Sequence, residues 1–500
     1  MKITDIINEI SVISSYIPKD IHEMPILSLC HDSRRAEHGS VFFCKTGAEN
    51  DGHLFAPSAY ERGARIFVAE RELDLPNDAA VIITESSNKA LNRLAVKFYN
   101  DPTKELKIIA ITGTKGKTTV AISAYKIAIS NGINAGYIGT NGIYFAGKRF
   151  ETVNTTPDTL ELQRILREMR NAGVTTVMLE VSSQALWHER TYGLEFDSCV
   201  FTNLYSDHVG GVEHPTMEHY RDSKKRLFDE YKTNRIIINS DSPAAQYMIN
   251  DSACDEIVTT SASSNESCDL FATDLKKFKK GVVPGVSFVL HSKNRSAKEV
   301  FMPVPGTYNV ENGLLVIAIC VSLGIEIDKV ICDLSSISVP GRFESIELAS
   351  KPGALFIIDY AHNGASLESV INALRKYEPK RIICLFGSVG ERTQIRREEL
   401  GKVASALADV IVVTSDNPNR EEPMDIIRDI RLAIGNTDKP VYEIADREMA
   451  IKAVVDMAEN GDYILLAGKG HEEYQLIDGK RIPFSERLIL EELDVAFQPI

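Results

Sequence analysis

Short apolar runs that end in polar or glycine-rich turns recur along this chain. KIIAIT (Lys107–Thr112) and the stretches 175–181, 198–202 and 235–239 read as buried strands, and 118–131 reads as a helix. A third group of strands, ALFIID, RIICLFG, VIVVTS and YILLAG, follows VPGRFE (339–344) with the same rhythm. Strands alternating with helical stretches predict parallel sheets with helices on both faces. Each of the later strands runs into a polar, glycine-rich or acidic turn, and ligands bind at that edge of open α/β sheets. The first hundred residues carry shorter strands, Ser40–Phe43 and 64–69, then a helical stretch 87–99 and the linker NDPTKEL. The segment 261–299 breaks the alternation, is polar, and ends strand-like in VSFVLHS, which predicts an inserted hairpin.

Together with the strand–glycine-rich loop–helix ITGTKGKTTV at 111–120, the pattern predicts three α/β domains: an N-terminal mixed α/β domain (1–103), a central P-loop ATPase-like parallel-sheet domain (104–337) and a C-terminal Rossmann-like domain (338–500). Five hundred residues exceed one hydrophobic core, which agrees. Apolar residues make up 44% and charged residues 25%, ordinary for a soluble protein. The net charge of −14 argues against a surface that coats nucleic acid, so a polyanionic ligand needs a local site. Eight cysteines without a CxxC pair or zinc spacing read as reduced, mostly buried thiols. No apolar stretch is long enough to span a bilayer and MKITDIINEI has no signal-peptide pattern, so a cytoplasmic, monomeric protein is expected.

The sharpest chemistry is ITGTKGKTTV (111–120). A buried strand delivers the chain to a loop with two glycines, and a helix follows. Gly113 and Gly116 let backbone N–H groups approach phosphate oxygens, with Thr114 and Lys115 between them. The helix N-terminus adds a positive dipole end. Lys117 can reach the β- and γ-phosphates of ATP, and Thr118 or Thr119 can ligate Mg²⁺. The spacing is two residues shorter than the standard phosphate loop, but strand, loop and helix together carry the assignment.

GTKGKTT resembles the ATP loop of the Mur ligases, ATP-dependent amide-forming enzymes of peptidoglycan precursor synthesis, and of their folylpolyglutamate synthetase relatives. HDSRR (31–35), NTTPDT (154–159), LEVSSQAL (179–186), NLYSDH (203–208), YRDSKKRLF (220–228), PGTYNVEN (305–312), VPGRFE (339–344), DYAHN (359–363), DNPN (416–419) and GKGHEEYQ (468–475) resemble family motifs in family order. Folylpolyglutamate synthetases lack the unit with HDSRR. The motifs are most similar to members that add the third residue to UDP-N-acetylmuramoyl-L-alanyl-D-glutamate.

The resemblance implies ATP as substrate and Mg²⁺ as cofactor. ATP turns a carboxylate into an acyl phosphate, which an amine attacks; cations and Mg²⁺ matter more in such a site than a nucleophilic side chain. It implies Lys117, Glu180, His208 and Lys224 as catalytic, the last three with Thr118 around the metal. Lys224 would act as a carbamate, and the adjacent Lys225 is its alternative. Asn309, Arg342, Asp359 and His362 resemble the remaining nucleotide contacts. Ser33 resembles the UDP contact, and Thr155, Thr156, Ser182, His188 and Arg190 the contacts to the rest of that substrate. The family often has His at Gln184 and Gln at His188, which departs from the pattern in this segment. Arg392, Asp416, Asn417, Asn419, Gly468 and Glu472 resemble the pocket of the incoming amino acid.

Members that add meso-diaminopimelate carry DNPR, whose Arg pairs with that substrate's second carboxylate. Asn419 stands in that place here. Losing the charged partner of a buried carboxylate costs roughly 3–5 kcal/mol. The expected amine is therefore L-lysine, with meso-diaminopimelate or another diamino acid as the alternative if Arg420 substitutes. A folylpolyglutamate synthetase-like ligase or a non-catalytic nucleotide-binding relative are the further alternatives.

Overall fold

The structure is a computed structural model and describes residues 1–46, 50–205, 214–293, 296–391 and 394–496. Packing divides the chain into two compact units. One comprises 1–117, 132–236 and 244–257; the other comprises 118–131, 237–243 and 258–500.

The first unit opens with a five-stranded sheet in the order Val12–Tyr16, Ala80–Thr84, Ile66–Ala69, Ser40–Phe43, Ser28–Cys30. Only the Val12–Tyr16 edge is antiparallel. Alternate residues feed two cores: Val41, Phe43, Ile66 and Val68 on one face, Phe42, Cys44, Phe67 and Ala69 on the other. The helix Ser87–Phe98 packs on the first face through Leu91 and Leu94, and Ser86 caps it by accepting from Lys89 N. The expected strand at 64–69 begins at Ile66, and the helix stops at Phe98.

The same unit holds parallel strands in the order Phe196–Phe201, Lys107–Thr112, Thr176–Glu180, Ala135–Gly139. Two short antiparallel strands, Gly142–Phe145 and Lys148–Phe150, extend them. Lys107–Thr112 is the strand read from the sequence, buried from Ile108 onward. Glu180 is the last residue of its strand, as the sequence suggests.

In the second unit, the helix expected at 118–131 runs Lys117–Ser130, its first residue lying in the other unit. The inserted hairpin is present as Leu270–Lys280 paired antiparallel with Val283–Ser292, with Lys298–Met302 beyond. Tyr377 and Tyr463 donate to Gly285 O and Val282 O near its turn, at 2.6 and 3.0 Å. A six-stranded sheet follows, in the order Glu344–Ile346, Leu355–Asp359, Tyr463–Ala467, Ile382–Phe386, Val410–Val413, Val441–Glu443. Its pairs are parallel except the first. Leu355 and Ile357 face the helices Gly364–Arg375, Gln394–Leu407 and Pro423–Ile434. Phe356 and Ile358 face Arg447–Met457 and Glu486–Ala496. That two-sided cover explains why these strands read as unbroken apolar runs.

All eight cysteines are free, and six are buried. Among the described residues no helix is long and apolar enough to cross a membrane.

Candidate active site

The strand Lys107–Thr112 hands the chain to Gly113, whose φ is +147°. A Cβ there would lie 1.9 Å from Thr202 Oγ1, so the neighbouring strand end can approach only a glycine. The loop is pinned from that side. Thr114 N donates to Asn203 O at 2.9 Å, Lys115 N to Asn203 Oδ1 at 2.9 Å, and Thr202 Oγ1 to Lys115 O at 2.6 Å. Lys117 Nζ folds back to Gly113 O (2.9 Å) and Thr114 O (3.2 Å). A phosphate cradle needs a fixed, glycine-permitted backbone of this kind. Gly113→Ala is expected to cost about 1–3 kcal/mol of strain before the overlap is counted. Its melting temperature should fall and ATP should no longer raise it; an undiminished ATP-induced shift would remove the loop from nucleotide binding.

The helix Met217–Asp229 separates the two candidate lysines. Lys224 is 1% exposed, donates to Gly113 O at 3.0 Å, and lies 4.3 Å over the Tyr220 ring. Tyr220 OH in turn donates to Thr114 Oγ1 at 3.2 Å. Lys225 points the other way, to Asp229 (2.6 Å) and Asn250 O (2.8 Å).

Glu180 is fully buried. Its Oε1 accepts from Tyr137 OH at 2.5 Å and Thr140 N at 3.1 Å, and Oε2 accepts from Thr140 Oγ1 at 3.1 Å. Burial first, then the Glu180 charge, pushes the Tyr137 phenol well above its ordinary value, so it stays a donor. A Cβ at Gly139 would lie 2.3 Å from Glu180 Oε1, so this carboxylate is seated against bare backbone. Thr155 Oγ1 lies 3.1 Å from Thr140 Oγ1. Thr156, read from the sequence as a substrate hydroxyl, is fully buried. It donates to Glu180 O (2.8 Å) and accepts from Ser182 N (3.1 Å), bracing the strand end. Ser182 Oγ caps the helix Ser183–Trp187 by accepting from Ala185 N. Arg190 Nη1 donates to Thr156 O at 3.3 Å, and His188 Nε2 lies 3.0 Å from Gln184 Oε1.

Ser33 is buried in the turn Ser33–Arg35. Beside it, His31 Nε2 meets Asp158 Oδ2 at 3.2 Å, and both Lys45 and Arg190 feel the Asp158 charge. Burial lowers Lys45 and Arg190 below their ordinary values, against the attraction of Asp158. His31 and Asp158 lie inside HDSRR and NTTPDT without a role of their own in the sequence, and Lys45 lies outside every motif.

In the second unit, Arg342 lies 4.7 Å over the Tyr360 ring, and burial pushes that phenol up to about 12. Asp359 Oδ2 accepts from Phe343 N at 2.8 Å, which fixes the turn that carries Arg342. His362 Nδ1 donates to Tyr360 O at 2.9 Å. Asn309, near the start of the helix Thr307–Ser322, donates to Pro305 O at 2.7 Å. Thr118 is buried and Thr119 half-buried in the helix Lys117–Ser130.

Asp416, Asn417, Gly468 and Glu472 come together at the ends of two strands. Arg447, fully buried and paired with Glu486 at 2.9 Å, holds both ends by donating to Ser415 O (3.0 Å) and Ala467 O (2.9 Å). Between them sits Lys469, the lysine of GKGHEEYQ, which is 0% exposed and which no sequence pattern marks as part of the pocket. Its Nζ lies 2.8 Å from Glu472 Oε2, 2.9 Å from Asn417 Oδ1 and 3.7 Å from Asp416 Oδ1.

Asn419 belongs to a neighbouring structure. It sits at φ +54°, a conformation Asn tolerates. Its N donates to Leu476 O, its Oδ1 accepts from Gly479 N at 2.9 Å, and its Nδ2 bonds Glu391. Its side chain is thus tied to the hairpin Tyr474–Ile477/Lys480–Pro483. Arg420 is exposed. His208 and Arg392 lie outside the described residues. Among the described residues no three His, Cys, Asp or Glu side chains cluster as a metal site.

Three family models match the chain: "Mur ligase family, catalytic domain" over 25–101, "Mur ligase middle domain" over 111–320, and "Mur ligase, glutamate ligase domain" over 341–470. A Clostridium perfringens protein named UDP-N-acetylmuramoyl-L-alanyl-D-glutamate–2,6-diaminopimelate ligase is 34% identical over 477 residues, 95% of this chain and 96% of that protein. A solved structure of a ligase with the same name superposes with TM-score 0.68 at 29% identity, covering 99% of both chains. A MurF ligase from Thermotoga maritima, solved in complex with ADP, shares the fold (TM-score 0.60, 18% identity, 95% of this chain and 99% of that one).

Proposed function

The chain belongs to the Mur ligase family of ATP-dependent amide-forming enzymes, and on that premise we propose that it adds a diamino acid to the D-glutamate of UDP-N-acetylmuramoyl-L-alanyl-D-glutamate. The observation that carries this reading is the 34% identity sustained over 95% of the chain with a protein named for that reaction. A folylpolyglutamate synthetase-like or non-catalytic reading finds no comparable support.

In this reading 1–103 binds the UDP end of the acceptor, 104–337 binds ATP, and 338–500 binds the amino acid. ATP phosphorylates the acceptor's side-chain carboxylate, and the amine displaces phosphate from the acyl phosphate. Lys117 and the loop from Gly113 to Gly116 hold the phosphates. Bound Mg²⁺ would neutralise phosphate charge. Glu180 suits that ion as a buried carboxylate already oriented by Tyr137 and Thr140, with Lys224 as a carbamate and His208 as the other protein groups proposed for it.

The relatives' names favour 2,6-diaminopimelate as the amino acid. L-lysine, the reading drawn from Asn419, is second: the bonds from Asn419 to Gly479 and Glu391 account for this residue without reference to substrate. The test is phosphate release with ATP, Mg²⁺ and UDP-N-acetylmuramoyl-L-alanyl-D-glutamate, with meso-diaminopimelate and L-lysine in parallel. Release with meso-diaminopimelate alone is expected. Release with lysine alone would restore the second reading, and release with neither of these nor any other diamino acid would overturn the third-residue ligase reading.

Asn419→Arg tests the same choice from the protein side. A new guanidinium facing a substrate carboxylate should raise the diaminopimelate-to-lysine ratio of kcat/KM by about tenfold or more. An unchanged ratio would place the selectivity elsewhere.

A further inference from the structure

Lys469 is the only described ammonium bonded into the pocket of Asp416, Asn417 and Glu472, and it is fully buried there. A buried lysine is tolerated only with partners, and its two short bonds go to Glu472 and Asn417. Asn417 Nδ2 closes the triangle by donating to Glu472 Oε2 at 2.8 Å. The Glu472 carboxylate is thereby held from two directions. Asp416 is treated differently. It is 3% exposed, lies 3.7 Å from Lys469, and its Oδ1 has no hydrogen-bond donor among the described residues. Arg447 does not fill this gap, because it is closed onto Glu486 and two backbone carbonyls. One ammonium thus stands against two carboxylates. Among the described residues the pocket keeps one net negative charge and one buried carboxylate oxygen with an unmet need for a donor.

We propose that Lys469 is a positioning residue for amine recognition: it fixes Glu472 and Asn417, neutralises one carboxylate, and leaves the other for an ammonium group of the incoming amino acid. This rests on the ligase reading above. Lys469 acts through Glu472 rather than on substrate, so its loss should be felt in amino-acid binding and nowhere else. Without the lysine, Glu472 loses its main restraint and stands unneutralised in the same pocket as the buried Asp416 carboxylate. Glu472 would then be free to shift away from Asn417.

The test is steady-state kinetics on the full chain for Lys469→Met, Glu472→Gln and the double variant. Lys469→Met is expected to raise the KM for the amino acid on the order of 30-fold, with KM for ATP and for the UDP-linked acceptor within about twofold of wild type. In the Glu472→Gln background the same change should cost less than about threefold, because the interaction it removes is already gone. Lys469→Arg should recover part of the amino-acid affinity. Should Lys469→Met not fold, Lys469→Gln, which keeps a donor for Glu472 without the charge, reads the same KM pattern. An equal rise in all three KM values, or full multiplicative effects in the double variant, would overturn the proposal. A wild-type chain inactive with every diamino acid would overturn the ligase reading instead, and this one with it.

Discussion

Lys117→Ala lowers kcat/KM for ATP-dependent phosphate release by about 10³-fold or more, the scale seen when a cation aimed at transferring phosphoryl charge is removed. That is roughly 4 kcal/mol in the transition state. The structural loss is smaller. Lys117 gives up two bonds to loop carbonyls, worth about 1 kcal/mol each in a partly solvated setting. A stability change alone therefore cannot mimic the kinetic one, and thermal melting run beside the assay separates them. Activity within about tenfold of wild type would detach the loop from catalysis.

Lys224→Ala is the second large effect, with an expected loss on the order of 10²-fold or more in kcat, since it removes a charge held next to the phosphate loop. Short carboxylic acids should return part of the activity by placing a carboxylate where the carbamate would stand. Lys225→Ala is the internal control. Its surface pair with Asp229 is worth about 0.3–0.5 kcal/mol, so its kinetics should be near wild type. A full-strength Lys224→Ala enzyme, or an inactive Lys225→Ala one, would reverse the assignment made from the helix face. Mass spectrometry of the intact protein under bicarbonate reads the modification itself.

The elements that were legible in the sequence are those whose signal is local. Lys107–Thr112 shows as an apolar run, and the inserted hairpin as a change of rhythm. The four central strands of the last sheet were legible because both faces are covered, which makes nearly every residue apolar, whereas the polar edge strands Glu344–Ile346 and Val441–Glu443 were not. What stayed hidden is pairing at a distance. Tyr137 meets Glu180 from 43 residues away, and His31 meets Asp158 from 127. Neither leaves a spacing that a window of residues can detect. Lys469 was hidden for another reason: between two glycines at a strand end it reads as a surface charge, and only its burial reveals its partners. Asn419 shows the opposite case. The residue was legible and its motif context suggestive, but the local backbone at φ +54° supplies a reason for Asn that no comparison of charges could foresee.

The helix that follows the phosphate loop has a further consequence for the making of the protein. Lys126 donates to Ser338 O at 2.6 Å, 212 residues later, while Ser130 and Asn131 bond Asp333. A ribosome adds roughly 5–20 residues per second. By that clock, about 10–40 s pass between the synthesis of Lys126 and that of its partner. The loop and its strand can be laid down early, but these bonds at the far end of the helix can close only once two thirds of the chain has been translated. Nascent chains halted before residue 333 would carry the loop on a helix whose far end lacks its bonds to Asp333 and Ser338.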